Sequence, residues 1–233
     1  MIASTVSPLA PTTPAQPGDN AQRTPLIILS HGSRHPQADK EVETLAQHMC
    51  RPQRDVRAAY LDFSEQTLQA VAGTMCGCAE AIVVPLLFTS AFHVTDDVPA
   101  VVAEASRATG VRLHLAAPLG TGEDIAQLVA SRIPHGAEAA VVYYVGSRRA
   151  HANAAVESLA ARVAALTGVS TFAHRATGRD PLLDVARAHV VPLFVTHGLL
   201  LDKLQLPAGW TMSEPLSVAL ADIVAARYEE VAA

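Results

Sequence analysis

Part of this chain is written twice. Val84-Pro85-Leu86-Leu87-Phe88-Thr89 returns as Val191-Pro192-Leu193-Phe194-Val195-Thr196, Gly32-Ser33-Arg34 returns as Gly146-Ser147-Arg148, and Pro118-Leu119 returns as Pro215-Leu216. The spacing between copies drifts by a few residues from pair to pair, as loop insertions and deletions between two duplicated halves would leave it. Short β-branched or leucine-rich runs at 26–30, 55–60, 81–88 and 112–116 alternate with helical patterns near 38–50, 66–76, 97–109 and 123–132. The order recurs: runs at 139–145, 170–174, 189–195 and 210–212 alternate with helical patterns near 150–167, 180–188 and 216–231. Near-continuous apolar strands separated by helices predict parallel sheets covered on both faces. The expected fold is therefore α/β, with two parallel-sheet halves related by internal duplication. They span 25–134 and 135–233 and join near Ile133-Pro134-His135-Gly136. Residues 1–24, rich in Pro, Thr, Ala and Ser without an apolar period, are expected to form a flexible tail.

Composition narrows the class of function. The 233 residues are 50% hydrophobic and 17% charged with a net charge of −5, too apolar for a disordered chain and not basic enough for a general nucleic-acid binder. Arg, Asp, His or Pro interrupts every apolar run before the roughly 20 residues of a membrane-spanning helix, so the chain is expected to be soluble and off the membrane. Cys50, Cys76 and Cys78 form no secreted scaffold, and the start has no basic and apolar leader, which points to the cytoplasm. Cys76-Gly77-Cys78 reads as structural thiols, because two thiolates without a second pair or a nearby His make a poor metal site. Of the 17 basic residues only Lys40 and Lys203 are lysines; the remaining guanidinium charge suits planar, bidentate recognition of carboxylate or phosphate.

In an open parallel sheet, ligands bind beyond the carboxyl ends of the strands. The first strand runs into Ser30-His31-Gly32-Ser33-Arg34-His35-Pro36, and the third into Thr89-Ser90-Ala91-Phe92-His93-Val94-Thr95-Asp96-Asp97. First and third strands are commonly neighbours, so His31 and His93 are expected to meet. Two imidazoles at a cleft can hold a divalent first-row metal or accept protons near neutral pH. Hydrolytic and phosphoryl-transfer readings find no Gly-x-Ser-x-Gly and no Walker loop, and a histidine phosphatase needs Arg before His where this chain has His31-Gly32-Ser33-Arg34.

Three separated motifs carry a family resemblance. Leu29-Ser30-His31-Gly32-Ser33-Arg34, then Tyr60-Leu61-Asp62-Phe63-Ser64-Glu65-Gln66-Thr67-Leu68, then Val84-Pro85-Leu86-Leu87-Phe88 leading to Phe92-His93-Val94-Thr95-Asp96-Asp97-Val98-Pro99, resemble the sirohydrochlorin chelatases of the CbiX type. The resemblance covers the chain after residue 24, with a full motif set in the first half and a degraded one in the second. It implies two flavodoxin-like, chelatase-like halves facing a cleft. It also implies ATP-independent insertion of Fe²⁺ or Co²⁺ into sirohydrochlorin, for siroheme or cobalamin, with the metal as substrate and no permanently bound cofactor. The partner is then a small-molecule tetrapyrrole, and the protein a monomer or homodimer.

Carried onto this sequence, the resemblance implies that His31 and His93 handle metal and protons. Glu65 is expected to supply a nearby carboxylate; at Asp62 this chain has the shorter acid where the family usually has Glu. Asp96 and Asp97 read as caps of the helix beginning Val98-Pro99. In the second half Val145 stands where His31 would be and Leu200 where His93 would be, so only one half carries the His pair. His197, in Thr196-His197-Gly198, is not made a ligand by the motif. A substrate with many carboxylates on a net-negative protein calls for local arginines. Arg34 with Ser33 in the first copy and Arg148-Arg149 in the second are the candidate contacts, with Arg175 and Arg179 behind them. The alternative is a tetrapyrrole or metal carrier that binds without catalysing insertion.

Overall fold

The computed structural model describes residues 23–75, 77–89, 97–178, 182 and 185–232. Two four-stranded, all-parallel sheets form. The first contains β1 (Leu26–Ser30), β2 (Val56–Tyr60), β3 (Glu80–Pro85) and β4 (Arg112–Leu115) in the order β2-β1-β3-β4. The second contains β5 (Ala139–Tyr144), β6 (Ser170–Arg175), β7 (His189–Pro192) and β8 (Thr211–Met212) in the corresponding order β6-β5-β7-β8. This is the doubly wound, flavodoxin-like order, in which direction reverses between the first and third strands of each sheet.

Each sheet is apolar on both faces, as the strand sequences require. Leu26, Ile28 and Val84 enter one core while their neighbours Ile27, Leu29 and Val83 enter another, the period of two that alternates side chains across a strand. The first core is shared by both halves, since Val142, Tyr144 and Val191 of the second sheet close it from the opposite side. Helices α1 (Ala38–Met49), α4 (Glu123–Ser131), α5 (Ala150–Thr167) and α6 (Ala221–Ala232) fill the space between.

The terminal helices are exchanged between the halves. Helix α4 follows the first sheet in sequence but packs on α5, whereas α6 follows the second sheet but packs on α1 and β3 of the first. Arg227 of α6 donates to the carbonyls of Pro118 (3.2 Å) and Leu119 (3.1 Å) and to Asp124 Oδ2 (2.6 Å), tying α6 to the first turn of α4 and the loop before it. The Tyr228 hydroxyl donates to the Thr24 carbonyl at 2.7 Å, and the Arg54 guanidinium lies 5.0 Å from the centre of its ring. The expected tail boundary is thus corrected at its end, because Arg23 also joins the fold, donating its N–H to Gln53 and pairing with Glu229.

The outer faces differ. The first sheet's outer face is covered by α2 (Leu68–Gly73) and α3 (Asp97–Thr109). The Thr67 hydroxyl caps α2 by accepting from the Ala70 N–H. Over the second sheet, the helix expected at 180–188 is absent from the described residues, where Leu182 and 185–188 run as loop. Buried Trp210 donates its indole N–H to the Val185 carbonyl at 3.1 Å, and Leu182, Leu201 and Leu204 pack beside it. That side-chain bond captures a carbonyl a helix would need, and the leucines bury the sheet in its place.

Candidate functional site: a cleft between two strand-end loops

The reversal points of the two sheets face one another across a cleft of about 570 Å³. On the first half its wall is the loop after β1 with Leu86, Leu87 and Phe88 after β3; on the second it is Val145 and Gly146 after β5 with 193–200 after β7. The lining is largely apolar, with Ser30, Ser33, Thr89 and Thr196 at its polar points.

The two loops have the same backbone. Leu61 N–H donates to Ser30 O and Asp62 N–H to His31 O, each at 2.9 Å; in the second half Ala176 N–H donates to Tyr144 O (2.7 Å) and Thr177 N–H to Val145 O (3.1 Å). Gly32 (φ +90°) and Gly146 (φ +89°) follow these pairs. A Cβ on Gly32 would lie 1.9 Å from the Asp62 carbonyl oxygen, so no side chain fits there. The Ser33 hydroxyl accepts from His35 N–H at 3.1 Å just as the Ser147 hydroxyl accepts from Arg149 N–H.

Several expected residues stand on this cleft. His31, Ser33 and Arg34 line it. Phe63, which sequence reasoning did not single out, joins them. Its ring is parallel to His31 within 8° at 6.4 Å and lies 4.8 Å from the Arg34 guanidinium carbon. Phe63 has φ +60° and is 48% exposed. The Asp62 carboxylate accepts its N–H at 3.0 Å, supporting a conformation that large side chains rarely adopt. Only the residue's place in the Asp62-Phe63-Ser64 turn hinted at it, since positive φ leaves no mark in the letters.

Other residues stand elsewhere. Glu65 is exposed and does not line the cleft; it borders a separate depression with Glu43, Arg57 and Gln66 beside α1. The chain turns back after β2, with Tyr60 N–H bonded to Gln66 O at 2.9 Å, and this swings Glu65 away from the strand end. The expectation of a Glu65 carboxylate beside His31 is corrected accordingly. Arg148 and Arg149 also fall outside the cleft wall. Asn153 bonds both the N–H and the carbonyl of Ser147, turning the chain directly into α5 with Arg149 as its N-cap. Arg175 is exposed, and its Cβ lies beneath Gly146. Cys78 packs against the outer core of the first half. His93, Cys76, Asp96 and Arg179 lie outside the described residues, and so does the side chain of Asp97. Among the described residues, no group of three or more His, Cys, Asp or Glu converges on a common point that could hold a metal.

Among the described residues, the second half does bring one imidazole to the cleft, that of His197. His197 receives Glu41 of α1 twice, its backbone N–H donating to Oε2 at 2.9 Å and its Nδ1 lying 2.6 Å from Oε1. Its Nε2 lies 3.1 Å from Glu214. Burial opposes its charged form, but the Glu41 hydrogen bond and the charges of Glu41, Glu214 and Asp202 outweigh that and hold its pKa above the usual histidine value.

Comparison with known proteins fits these observations. The CbiX family model matches residues 25–135. The sirohydrochlorin cobaltochelatase of Methanosarcina acetivorans is 32% identical over 120 residues, which are 46% of this chain and 92% of that protein. The chain belongs to the CbiX family of sirohydrochlorin chelatases. The sirohydrochlorin ferrochelatase of Bacillus subtilis is 30% identical to this CbiX-family chain over 115 residues, 46% of this chain and 43% of that one. The fold matches that of the sirohydrochlorin chelatase SirB from Bacillus subtilis subspecies spizizenii, crystallised with cobalt. The TM-score is 0.74 at 21% identity over 90% of this chain and 95% of that one, which places both halves of this CbiX-family protein in the two-sheet chelatase fold.

Proposed function

We propose that this protein inserts Co²⁺ or Fe²⁺ into sirohydrochlorin without nucleotide, using the cleft between its halves. The observation that carries the reading is His31, set at the first sheet's reversal point on a largely apolar wall. Insertion exchanges two pyrrole protons for one divalent cation, so the site must pass on a metal and take up protons. A neutral imidazole does both in turn, donating a lone pair to the metal and then accepting a proton once the metal has moved into the ring. His93, four residues after Thr89 in the sequence, is the expected partner. The apolar walls suit the faces of a macrocycle, and Phe63 gives it an aromatic surface to lie against. Ser33 and Arg34 stand where a peripheral carboxylate of the ring can be held. The free thiols of Cys50 and Cys78 suit a reducing cytoplasm, with the protein working as a monomer or homodimer.

Anaerobic mixing of the protein with sirohydrochlorin and either metal, followed by absorption of the macrocycle, tests the proposal. Faster insertion without nucleotide is expected, and His31→Ala and His93→Ala should each slow it about a hundredfold or more. Tight binding of the macrocycle without faster insertion overturns catalysis in favour of a carrier.

A further inference from the structure

The substrate-binding reading assigns carboxylate recognition to arginines, yet the second half presents none of its arginines to the cleft among the described residues. Among the described residues, the basic side chains that line it are His31 and Arg34 from one half and His197 from the other. No carboxylate lines it among the described residues. A polyanionic ring seated there meets the second half's wall at His197.

His197 is built for one outward contact. Glu41 holds both its backbone N–H and its Nδ1, so the remaining donor is Nε2. The group now at Nε2 is the carboxylate of Glu214, a side chain 81% exposed and thus poorly held by the protein. The His35 ring lies alongside at 6.3 Å, its own Nε2 3.2 Å from Asp202. Every charged group facing His197, namely Glu41, Asp202 and Glu214, favours the imidazolium.

We propose that His197 is the second half's carboxylate-binding residue: its Nε2–H donates to a side-chain carboxylate of the macrocycle, which displaces Glu214, while Arg34 receives another carboxylate from the first half. Glu41 is then a positioning residue that orients the ring and keeps it charged. This deepens the chelatase reading and rests on it for the identity of the ligand, but binding can be measured without metal insertion.

The test is titration of the full chain with metal-free sirohydrochlorin, followed by the macrocycle's fluorescence. His197→Gln should weaken binding about tenfold, the scale of one charge-assisted hydrogen bond. His197→Arg should recover most of it. Glu214→Gln should tighten binding about threefold, since it removes a competitor for Nε2. Wild-type affinity should fall as pH rises through the elevated His197 pKa, and the His197→Gln curve should be shallower over that range, keeping only the dependence that His31 and the other histidines supply. Equal affinity of His197→Gln and wild type overturns the proposal. So does weaker binding by Glu214→Gln, which would make the cluster purely structural. Should His197→Gln fail to fold, His197→Arg and Glu214→Gln still decide it. His197-dependent binding without insertion overturns the catalytic reading alone, and insertion with His197-independent binding overturns this proposal alone.

Discussion

The halves of this molecule share a strand-end loop and differ in what the loop carries. After β1 and after β5 the same two backbone hydrogen bonds, the same left-handed glycine and the same serine cap recur, yet His31 in one copy is Val145 in the other. The first half keeps two outer helices, while among the described residues loops cover the second sheet. Duplication therefore preserved the backbone device that aims a residue at the cleft and left the residue free to diverge. One wall offers the His31 imidazole. The other offers apolar surface and a histidine whose partners are carboxylates.

The glycines break the comparison most sharply. Gly32→Ala drives a Cβ into the Asp62 carbonyl, a backbone atom that cannot yield, whereas at Gly146 the nearest atom, at 2.8 Å, is the rotatable Thr177 hydroxyl. Urea unfolding should show a loss of roughly 3–5 kcal/mol for Gly32→Ala and about 1–2 kcal/mol for Gly146→Ala. Equal losses would mean that the loops are not held alike.

Chemistry gives the next largest effect. His31→Ala should lower the insertion rate about a hundredfold, and adding Val145→His to that variant should recover less than about a tenth of the lost rate, because matching backbone alone does not supply the rest of the site. Full recovery would make the walls interchangeable.

The exchanged helices come third. Arg227→Ala removes three hydrogen bonds linking α6 to the first turn of α4 and the loop before it, and should cost about 2 kcal/mol in the same unfolding assay. Arg162→Ala, which removes a single bond from α5 to the Thr121 carbonyl, should cost about 1 kcal/mol. A larger loss at Arg162 would reverse the order of the two anchors.

The smallest effect is a pH dependence written into the second half by two histidines of opposite sign. His197, with its pKa raised, adds stability that is full below the unfolded value and fades as pH rises through the folded one. Buried His189 sits between Thr211 and Ser213; burial lowers its pKa against an opposing hydrogen bond to the backbone carbonyl of Arg132, so its contribution is full above the unfolded value and fades as pH falls through the folded one. Melting temperature against pH should lose its alkaline decline in His197→Gln and its acidic decline in His189→Gln. An unchanged curve in either variant would remove that histidine from the account.

Much of the fold was legible. The strand patterns marked all eight strands and the repeated letters marked the halves; the central strands β1, β3, β5 and β7 were clearest, because a buried parallel strand must be apolar on both faces. Where a helix was expected at 180–188, the described residues Leu182 and 185–188 were not legible as loop, since Leu182 packing and a Val185 carbonyl bonded to Trp210 leave no mark in the apolar spacing. The site was legible where a residue directly follows a strand, as His31, Ser33 and Arg34 do. It was illegible where a turn intervenes: Glu65 swings out after the chain doubles back, Phe63 enters at positive φ, and Arg148 and Arg149 are carried off by the start of α5.

The letters of the chain were enough for two parallel-sheet halves and for the His31 strand end that one copy keeps and the other has as Val145, because period and strand length are local properties. Tertiary structure alone decided that α4 and α6 trade places, that Glu41 crosses to the other half to hold His197, and which basic groups reach the cleft. Those are contacts between residues far apart in the chain, and no local pattern encodes which distant surfaces will bury each other.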